Sequence, residues 1–206
     1  IDKTRCGLLV ADVAGKGIPA ALFTGTVKNI MKFSMKNNPS PASLFAASNS
    51  FIVNESEYGM FVTVFYAMVD TALNTITYGS AGHNEQILLR RETGDMVVLN
   101  AGGKPLGILE DCAYFEETIR YEKGDILLLF TDGLVESLGD EGDDLQLGYE
   151  KISQVLKTCM SEPAEIILNM LRNAVRENSA DNELMDDLTV LAVTEHIKDY
   201  FSRLGH

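Results

Sequence analysis

The feature that most constrains the fold is a series of β-type segments between residues 61 and 130, with no helical segment among them. These segments are rich in β-branched and aromatic side chains and are separated by short turns, which is the pattern of strands and hairpins. Strands that follow one another directly in sequence favour antiparallel pairing. The predicted strands are residues 61–70, 75–78, 86–90, 96–99, 114–121 and 125–130, the last two joined by a turn at Lys123-Gly124.

Helical patterns flank this series on both sides. Pro19 and Pro41 each stand in the first turn of a segment whose apolar residues fall on one helix face. Further helices are predicted at about 149–160 and 163–176, and additional strands at 6–11 and 188–193. Since the chain contains no repeat and no linker, we expect one α+β domain over residues 1–206, with antiparallel sheets covered by helices.

The composition and charge argue against several classes of function. The 206 residues carry a net charge of −13, which argues against binding to nucleic acid or to an anionic membrane surface. The chain has no apolar run long enough to span a membrane and no signal peptide. Its three cysteines, Cys6, Cys112 and Cys159, have no metal-binding spacing, so we expect reduced thiols and a cytoplasmic location.

Acidic residues stand at the ends of three predicted strands: Asp12, Asp132 and the adjacent pair Asp186-Asp187. Aspartate is unfavourable in strands, and a single one at a strand end is commonly a turn or cap residue. Three such positions together, one of them doubled, favour a shared site. Carboxylate oxygens on rigid strand ends suit Mg²⁺ or Mn²⁺ rather than zinc, and two such ions can activate water for attack on a phosphoryl group.

Other chemistries fit the sequence less well. The segments around Ser80 and Lys16 lack the frames of a nucleophile elbow and of a nucleotide-binding P-loop. For His83, in a loop after a strand, we expect a structural role through hydrogen bonds rather than metal ligation. Lys16 could attract a phosphate, although a solvated lysine is the simpler interpretation.

Five short motifs occur in order and together resemble the bacterial branch of the PPM metal-dependent protein phosphatases, the stage II sporulation protein E type and related sigma-factor regulators. The resemblance covers essentially the whole chain. Its motifs are Asp-Val-Ala-Gly-Lys-Gly-Ile-Pro-Ala-Ala-Leu at 12–22, Ala-Gly-His-Asn at 81–84, Pro-Leu-Gly at 105–107, Phe-Thr-Asp-Gly-Leu-Val-Glu at 130–136 and Asp-Asp-Leu-Thr at 186–189.

The resemblance implies an αββα sandwich of two antiparallel sheets flanked by helices, with two metal ions between the sheets. By motif, Asp12 bridges the metals, Val13 offers its backbone carbonyl, and Asp132 and Asp186 complete one metal position, with Asp187 beside them. Asp12, Asp132 and Asp186 are therefore the expected catalytic residues. Which acid of the 186–187 pair ligates metal is open, with Asp186 preferred.

The resemblance also implies partners. Family substrates are phosphoserine or phosphothreonine proteins, typically anti-sigma-factor antagonists, and a sensor or receiver domain commonly precedes the phosphatase and acts on its first two helices. The exposed faces of those helices could also pair with a second copy of the chain in a homodimer.

Two departures from the family pattern affect the expected chemistry. A Gly-Asp-Tyr-like strand whose acid helps to hold the second metal normally precedes residue 1, so we expect this chain to lack its first strand and to bind the second metal weakly. Position 14 is alanine, where eukaryotic relatives carry a histidine proposed as general acid. A metal-bound water would then have to protonate the leaving group, or the alkoxide would leave with the help of the metal alone.

Three hypotheses follow. The first is an enzyme that hydrolyses a phosphoprotein, and the second is a catalytically weak or inactive phosphatase-fold module that binds a signalling partner. The third, an acidic-pocket phosphoacceptor domain, would need strands that alternate with helices, which the consecutive strands between residues 61 and 130 do not provide.

Overall fold

The computed structural model describes residues 1–56, 59–139, 145–178 and 187–194. These residues form eight strands and five helices. In chain order the elements are β1 (Arg5–Val13), α1 (Gly17–Met35), α2 (Pro41–Glu55), β2 (Val62–Asp70), β3 (Thr75–Ala81), β4 (Gln86–Leu89), β5 (Met96–Leu99), β6 (Glu117–Arg120), β7 (Ile126–Phe130), α3 (Gly133–Leu138), α4 (Leu145–Thr158), α5 (Ala164–Asn178) and β8 (Val190–Val193).

The described residues divide into two compact units. The first contains the described residues of 1–84 and 100–121, and the second contains those of 85–99 and 122–194. Each unit has one four-stranded antiparallel sheet, in the order β1-β2-β3-β6 in the first and β5-β4-β7-β8 in the second. Two antiparallel sheets with helices confirm the predicted α+β class, whereas the expectation of a single domain over 1–206 stays a prediction.

In the first unit, one face of the sheet packs against α1 and α2. Strand alternation directs Leu9, Ala11 and Val13 of β1 toward the core formed with these helices, which buries Phe23 and Leu44. Asp12 therefore belongs to the opposite face of β1. The helices hide an apolar face from water, and this burial is the main favourable contribution to the stability of the unit.

In the second unit, the sheet packs against α3, α4 and α5. Ile126, Leu128 and Phe130 of β7 alternate toward a core that includes buried side chains from all three helices. Tyr149 of α4 lies edge-on to Phe130, with ring centroids 6.1 Å apart, and its hydroxyl donates to the Glu85 carbonyl at 3.0 Å. The last residue of β7 is thus held from the helix side, just before Asp132.

The predicted elements match the structure with three differences, the first being that β1 continues past residue 11 to Val13. The hairpins β2–β3 and β4–β5 are confirmed, as are the helices that begin near residues 17 and 41. Strands β6 and β7 are connected through the Lys123-Gly124 turn, but they pair in different sheets. Helix α3 was not predicted. Within the described ranges, no helix is both long and apolar enough to cross a membrane.

Candidate metal centre

Asp12 lies one residue before the end of β1, which stands at the edge of its sheet beside β2. Its register partner is Thr63, and the pairing continues to Val13 opposite Val62. One further hydrogen bond, from the Ala14 N–H to the Phe61 carbonyl at 2.9 Å, extends the ladder past the strand end. The backbone on both sides of Asp12 is therefore fixed, and its side chain is half-buried.

The turn after Asp12 is built from glycines. Gly15 and Gly17 have φ angles of +137° and +76°, in the region that side-chain-bearing residues rarely adopt. This turn lets α1 begin directly after the strand. Lys16, at the N-cap of α1, makes no side-chain cap hydrogen bond and is exposed, in agreement with a solvated lysine.

His83 makes hydrogen bonds next to the strand that pairs with Asp12. Its Nδ1 is 2.8 Å from the Thr63 Oγ1, and its main chain exchanges hydrogen bonds with the Ser80 hydroxyl at 3.0 and 3.1 Å. These contacts lie within the first unit and fix the loop that His83 occupies. They agree with the hydrogen-bonding role expected for this residue.

Asp132 follows β7 in the second unit. Its carboxylate accepts a hydrogen bond from the Gly133 N–H at 3.0 Å, so Asp132 also caps α3. The predicted motif therefore sits at the junction of a buried strand and a short helix, where the backbone position of Asp132 is set by both elements.

Gln86 holds the end of β7 on its β4 side, in place of a backbone strand partner. The pairing of β4 with β7 runs from Leu89–Ile126 to Ile87–Leu128, so position 85 would face Phe130, but β4 begins only at Gln86. The Gln86 side chain donates to the Phe130 carbonyl at 3.1 Å and accepts from the Phe130 N–H at 2.6 Å. Gln86 is fully buried, and no sequence pattern marks it as part of the site.

Asp187 is brought next to the end of β7 by Thr131. The Thr131 hydroxyl donates to the Asp187 carbonyl at 3.0 Å and accepts from the Thr189 N–H at 3.1 Å. The Thr131 N–H donates to the Thr189 carbonyl at 3.1 Å. These three bonds join the chain segments that carry Asp132 and Asp187.

The predicted site residues thus fall into two groups. Asp12 and Val13 stand in the first unit, whereas Asp132 and Asp187 stand together in the second. Asp186 lies outside the described residues. Among the residues that the structure describes, no group of three or more His, Cys, Asp or Glu side chains is clustered as for a metal ion. The donors present are carboxylates, which is the chemistry that suits Mg²⁺ or Mn²⁺.

The sequence of residues 2–196 matches the family described as stage II sporulation protein E (SpoIIE). The chain belongs to the SpoIIE family. The resemblance drawn from the five motifs is confirmed by this match, which spans both units and every motif.

Individual proteins show the same relationship. The chain is 29% identical over 196 residues to the phosphoserine phosphatase RsbU of Bacillus subtilis. The aligned region covers 95% of this chain and 57% of RsbU. The chain therefore spans little more than half the length of this relative.

Two solved structures share the fold. The first is the PP2C phosphatase domain of the cell fate determinant SpoIIE of Bacillus subtilis, solved with a fragment of its regulatory domain. It superposes with a TM-score of 0.78 at 15% identity, and the match covers 92% of this chain and 54% of that one. The catalytic domain of the serine/threonine phosphatase PstP, solved with two manganese ions, has a TM-score of 0.64 at 19% identity, covering 90% of this chain and 86% of that one. The two antiparallel sheets with their helices match the fold of these phosphatases.

Proposed function

We propose that this domain hydrolyses phosphoserine or phosphothreonine on a regulatory protein, typically an anti-sigma-factor antagonist, in a metal-dependent reaction. The observation that carries the proposal is the joining of the Asp132 and Asp187 segments through Thr131, both of which lie within the part of the chain that matches the SpoIIE family. The relative RsbU is named a phosphoserine phosphatase, which supports the same substrate class.

The residues have separate roles in this proposal. Asp12, the Val13 carbonyl, Asp132 and Asp186 would hold the metal ions, with Asp187 as the neighbouring acid. Bound Mg²⁺ or Mn²⁺ supplies water activation and charge stabilisation at the phosphoryl group. The chain has Ala14 where eukaryotic relatives have a histidine, so its own side chains at this position provide no proton for the leaving group.

The proposal extends to the context of the domain. The two manganese ions of the PstP structure support a Mn²⁺ or Mg²⁺ cofactor. We propose that residues 1–206 act as one cytoplasmic phosphatase domain under the control of a sensor or receiver domain. The three free cysteines are consistent with a reducing compartment.

The test is phosphate release from a phosphoserine protein and from p-nitrophenyl phosphate, with Mn²⁺ and after chelation. We expect turnover with Mn²⁺, none with chelator, and loss of turnover in Asp12→Asn and Asp132→Asn. An asparagine introduced at position 132 can still accept the Gly133 hydrogen bond, so Asp132→Asn separates the metal role from the cap role. Full turnover in either variant would remove that residue from the site, and a Mn²⁺-loaded protein without turnover would favour a binding module.

The pair 186–187 needs its own comparison. Asp186→Asn and Asp187→Asn should differ in Mn²⁺ affinity, with the larger loss in Asp186→Asn. Equal and unchanged affinities in the two variants would place the ligand elsewhere.

A further inference from the structure

We propose that Thr63 and His83 are positioning residues for Asp12, and that the hydrogen-bonded pair sets the affinity of the site for its metal. This inference rests on the proposed function because it assumes that Asp12 is a metal ligand. It gives a role to the Ala-Gly-His-Asn and Pro-Leu-Gly motifs, neither of which supplies a carboxylate.

The pair lies on the same sheet face as Asp12. Register partners in an antiparallel pair direct their side chains to one face, with Cβ atoms about 5 Å apart. Thr63 is the register partner of Asp12, and both belong to the face turned away from α1 and α2. The Thr63 hydroxyl stands 2.8 Å from the His83 Nδ1 and 3.5 Å from the Asp12 carbonyl oxygen. It therefore contacts both the imidazole and the main chain of the proposed ligand.

One proton arrangement satisfies both contacts. A hydroxyl has a single proton, so Thr63 can donate to the Asp12 carbonyl only while its oxygen accepts from His83. His83 Nδ1 then carries the hydrogen in that bond. In this arrangement the imidazole orients the hydroxyl, and the hydroxyl contacts the backbone of the edge strand at Asp12.

The position of His83 is fixed by burial and by hydrogen bonds of its main chain, so its imidazole can orient the Thr63 hydroxyl. His83 is only 9% exposed, and its N–H and carbonyl are both bonded to the Ser80 hydroxyl. The preceding Gly82 has φ +70°, and a Cβ there would stand 2.5 Å from the Pro105 ring. The loop that carries His83 therefore packs directly against the segment 105–107.

The same segment also pairs with β2 beside Thr63. Leu106 and Val62 exchange two backbone hydrogen bonds, of 2.9 and 3.0 Å, on the side of β2 opposite β1. The Asn49 side chain of α2 accepts from the Gly107 N–H at 2.9 Å and donates to the Leu109 carbonyl at 2.8 Å, which fixes the segment to the helix. The start of β2 beside Thr63 is thus supported on the side away from Asp12, where the pairing of β2 with β3 extends only as far as Phe65 and Ser80.

Residues that orient a metal ligand affect metal affinity, typically by about 10–100-fold when they are removed. We expect Thr63→Val and His83→Leu to weaken Mn²⁺ binding by about tenfold or more, measured by titration calorimetry on the whole chain. The kcat for p-nitrophenyl phosphate at a fixed subsaturating Mn²⁺ concentration should fall, whereas KM should change by no more than about twofold, because neither side chain is proposed to contact substrate.

Two variants serve as controls. Thr63→Ser keeps the hydroxyl and should restore Mn²⁺ affinity to within about threefold of the parent chain. Thr77→Val makes the same chemical change in β3, where Thr77 is bonded to the Thr118 hydroxyl at 3.0 Å, and should leave Mn²⁺ affinity unchanged. Urea unfolding of every variant identifies losses that arise from global instability, and affinities are compared only where the folded protein predominates.

The double variant Thr63→Val/His83→Leu decides whether the two residues act together. If they form one support, its affinity loss should be close to that of the larger single loss, because each substitution already breaks the same contact. Unchanged Mn²⁺ affinity in folded Thr63→Val, or additive losses in the double variant, would overturn the inference. A parent chain that binds Mn²⁺ and responds in this way without hydrolysing phosphate would contradict the proposed function but keep the inference.

Discussion

Replacing Gln86 with leucine should destabilise the protein far more than the same change at an exposed glutamine. Gln86 is fully buried, and its side chain makes two hydrogen bonds with the main chain of Phe130. Leucine has a similar size but no polar atoms, so the substitution removes both bonds. Each buried main-chain group that loses its partner costs about 1–3 kcal/mol.

From these two bonds we expect Gln86→Leu to lower the free energy of unfolding by about 3 kcal/mol, a large part of the roughly 5–15 kcal/mol typical of a domain. Gln146 provides the matched control, because it is exposed on α4 and its side chain donates to the exposed Glu150 carboxylate at 3.2 Å. The substitution Gln146→Leu should change the free energy by less than about 0.5 kcal/mol.

The assay is urea unfolding at neutral pH, followed by circular dichroism and by tyrosine fluorescence. Coincident transitions are required before the two free energies are compared. If Gln86→Leu is no less stable than Gln146→Leu, the Gln86 amide does not substitute for a strand partner at Phe130. Gln86 then does not hold the end of β7 before Asp132.

Three further predictions concern the same two units. Gly82→Ala should lower the free energy of unfolding in urea by about 2–3 kcal/mol, because the added Cβ strains the backbone and collides with Pro105. Gly94 has a similar φ of +72° but no atom within 4 Å of an added Cβ, so Gly94→Ala should lower it by only about 1 kcal/mol. Equal losses in the two variants would show that the collision with Pro105 does not contribute. Burial raises the pKa of Tyr66 to about 12, so the folded state favours the protonated phenol. The protonated phenol therefore contributes its full stabilisation below about pH 10, and this stabilisation is lost as the pH rises from 10 toward 12. Tyr66→Phe should show a shallower alkaline decline in urea midpoints, and an identical slope would contradict this. Burial also raises the pKa of Cys159, which is 1% exposed, so iodoacetamide should modify it in the native protein more slowly than it modifies Cys112. Mass spectrometry of the labelled peptides shows which of the two cysteines reacts first.

The strand ends were the most predictable part of the site. The apolar run before Asp132 stops abruptly at Thr131, and β7 ends at Phe130 as expected. The segment before Asp12 was equally clear, although β1 continues through Asp12 to Val13, so this residue lies within the strand rather than after it. Acids interrupt apolar strands rarely enough that their positions were informative without any tertiary contact.

Helix α3 could not be predicted from local pattern. It has six residues, fewer than two full turns, so its buried Leu134, Val135 and Leu138 provide too short a sample of helical periodicity. The segment 136–144, which overlaps its C-terminal half, is acidic and contains glycines, a composition that does not indicate a helix. Packing against α4 and α5, which is a tertiary effect, stabilises it.

The supporting residues of the site were also hidden from the sequence. Gln86 acts on Phe130, which is 44 residues away in the chain, and no local pattern indicates such a contact. Thr63 is a β-branched residue in a strand, the ordinary composition of a strand interior. Its proposed role depends on its register opposite Asp12, and register becomes visible only when the sheet is assembled.

The bond between Thr131 and the Asp187 carbonyl has a consequence for folding order. It joins positions 56 residues apart, and the entropy of closing a loop of that length is about 3.5 kcal/mol beyond a constant. Contacts within α4 and α5 close much shorter loops and can form earlier. We therefore expect β8 to dock late in folding, after α4 and α5 have formed. The rate at which the proposed metal site forms should then respond to packing changes in α4 and α5, outside the proposed ligands.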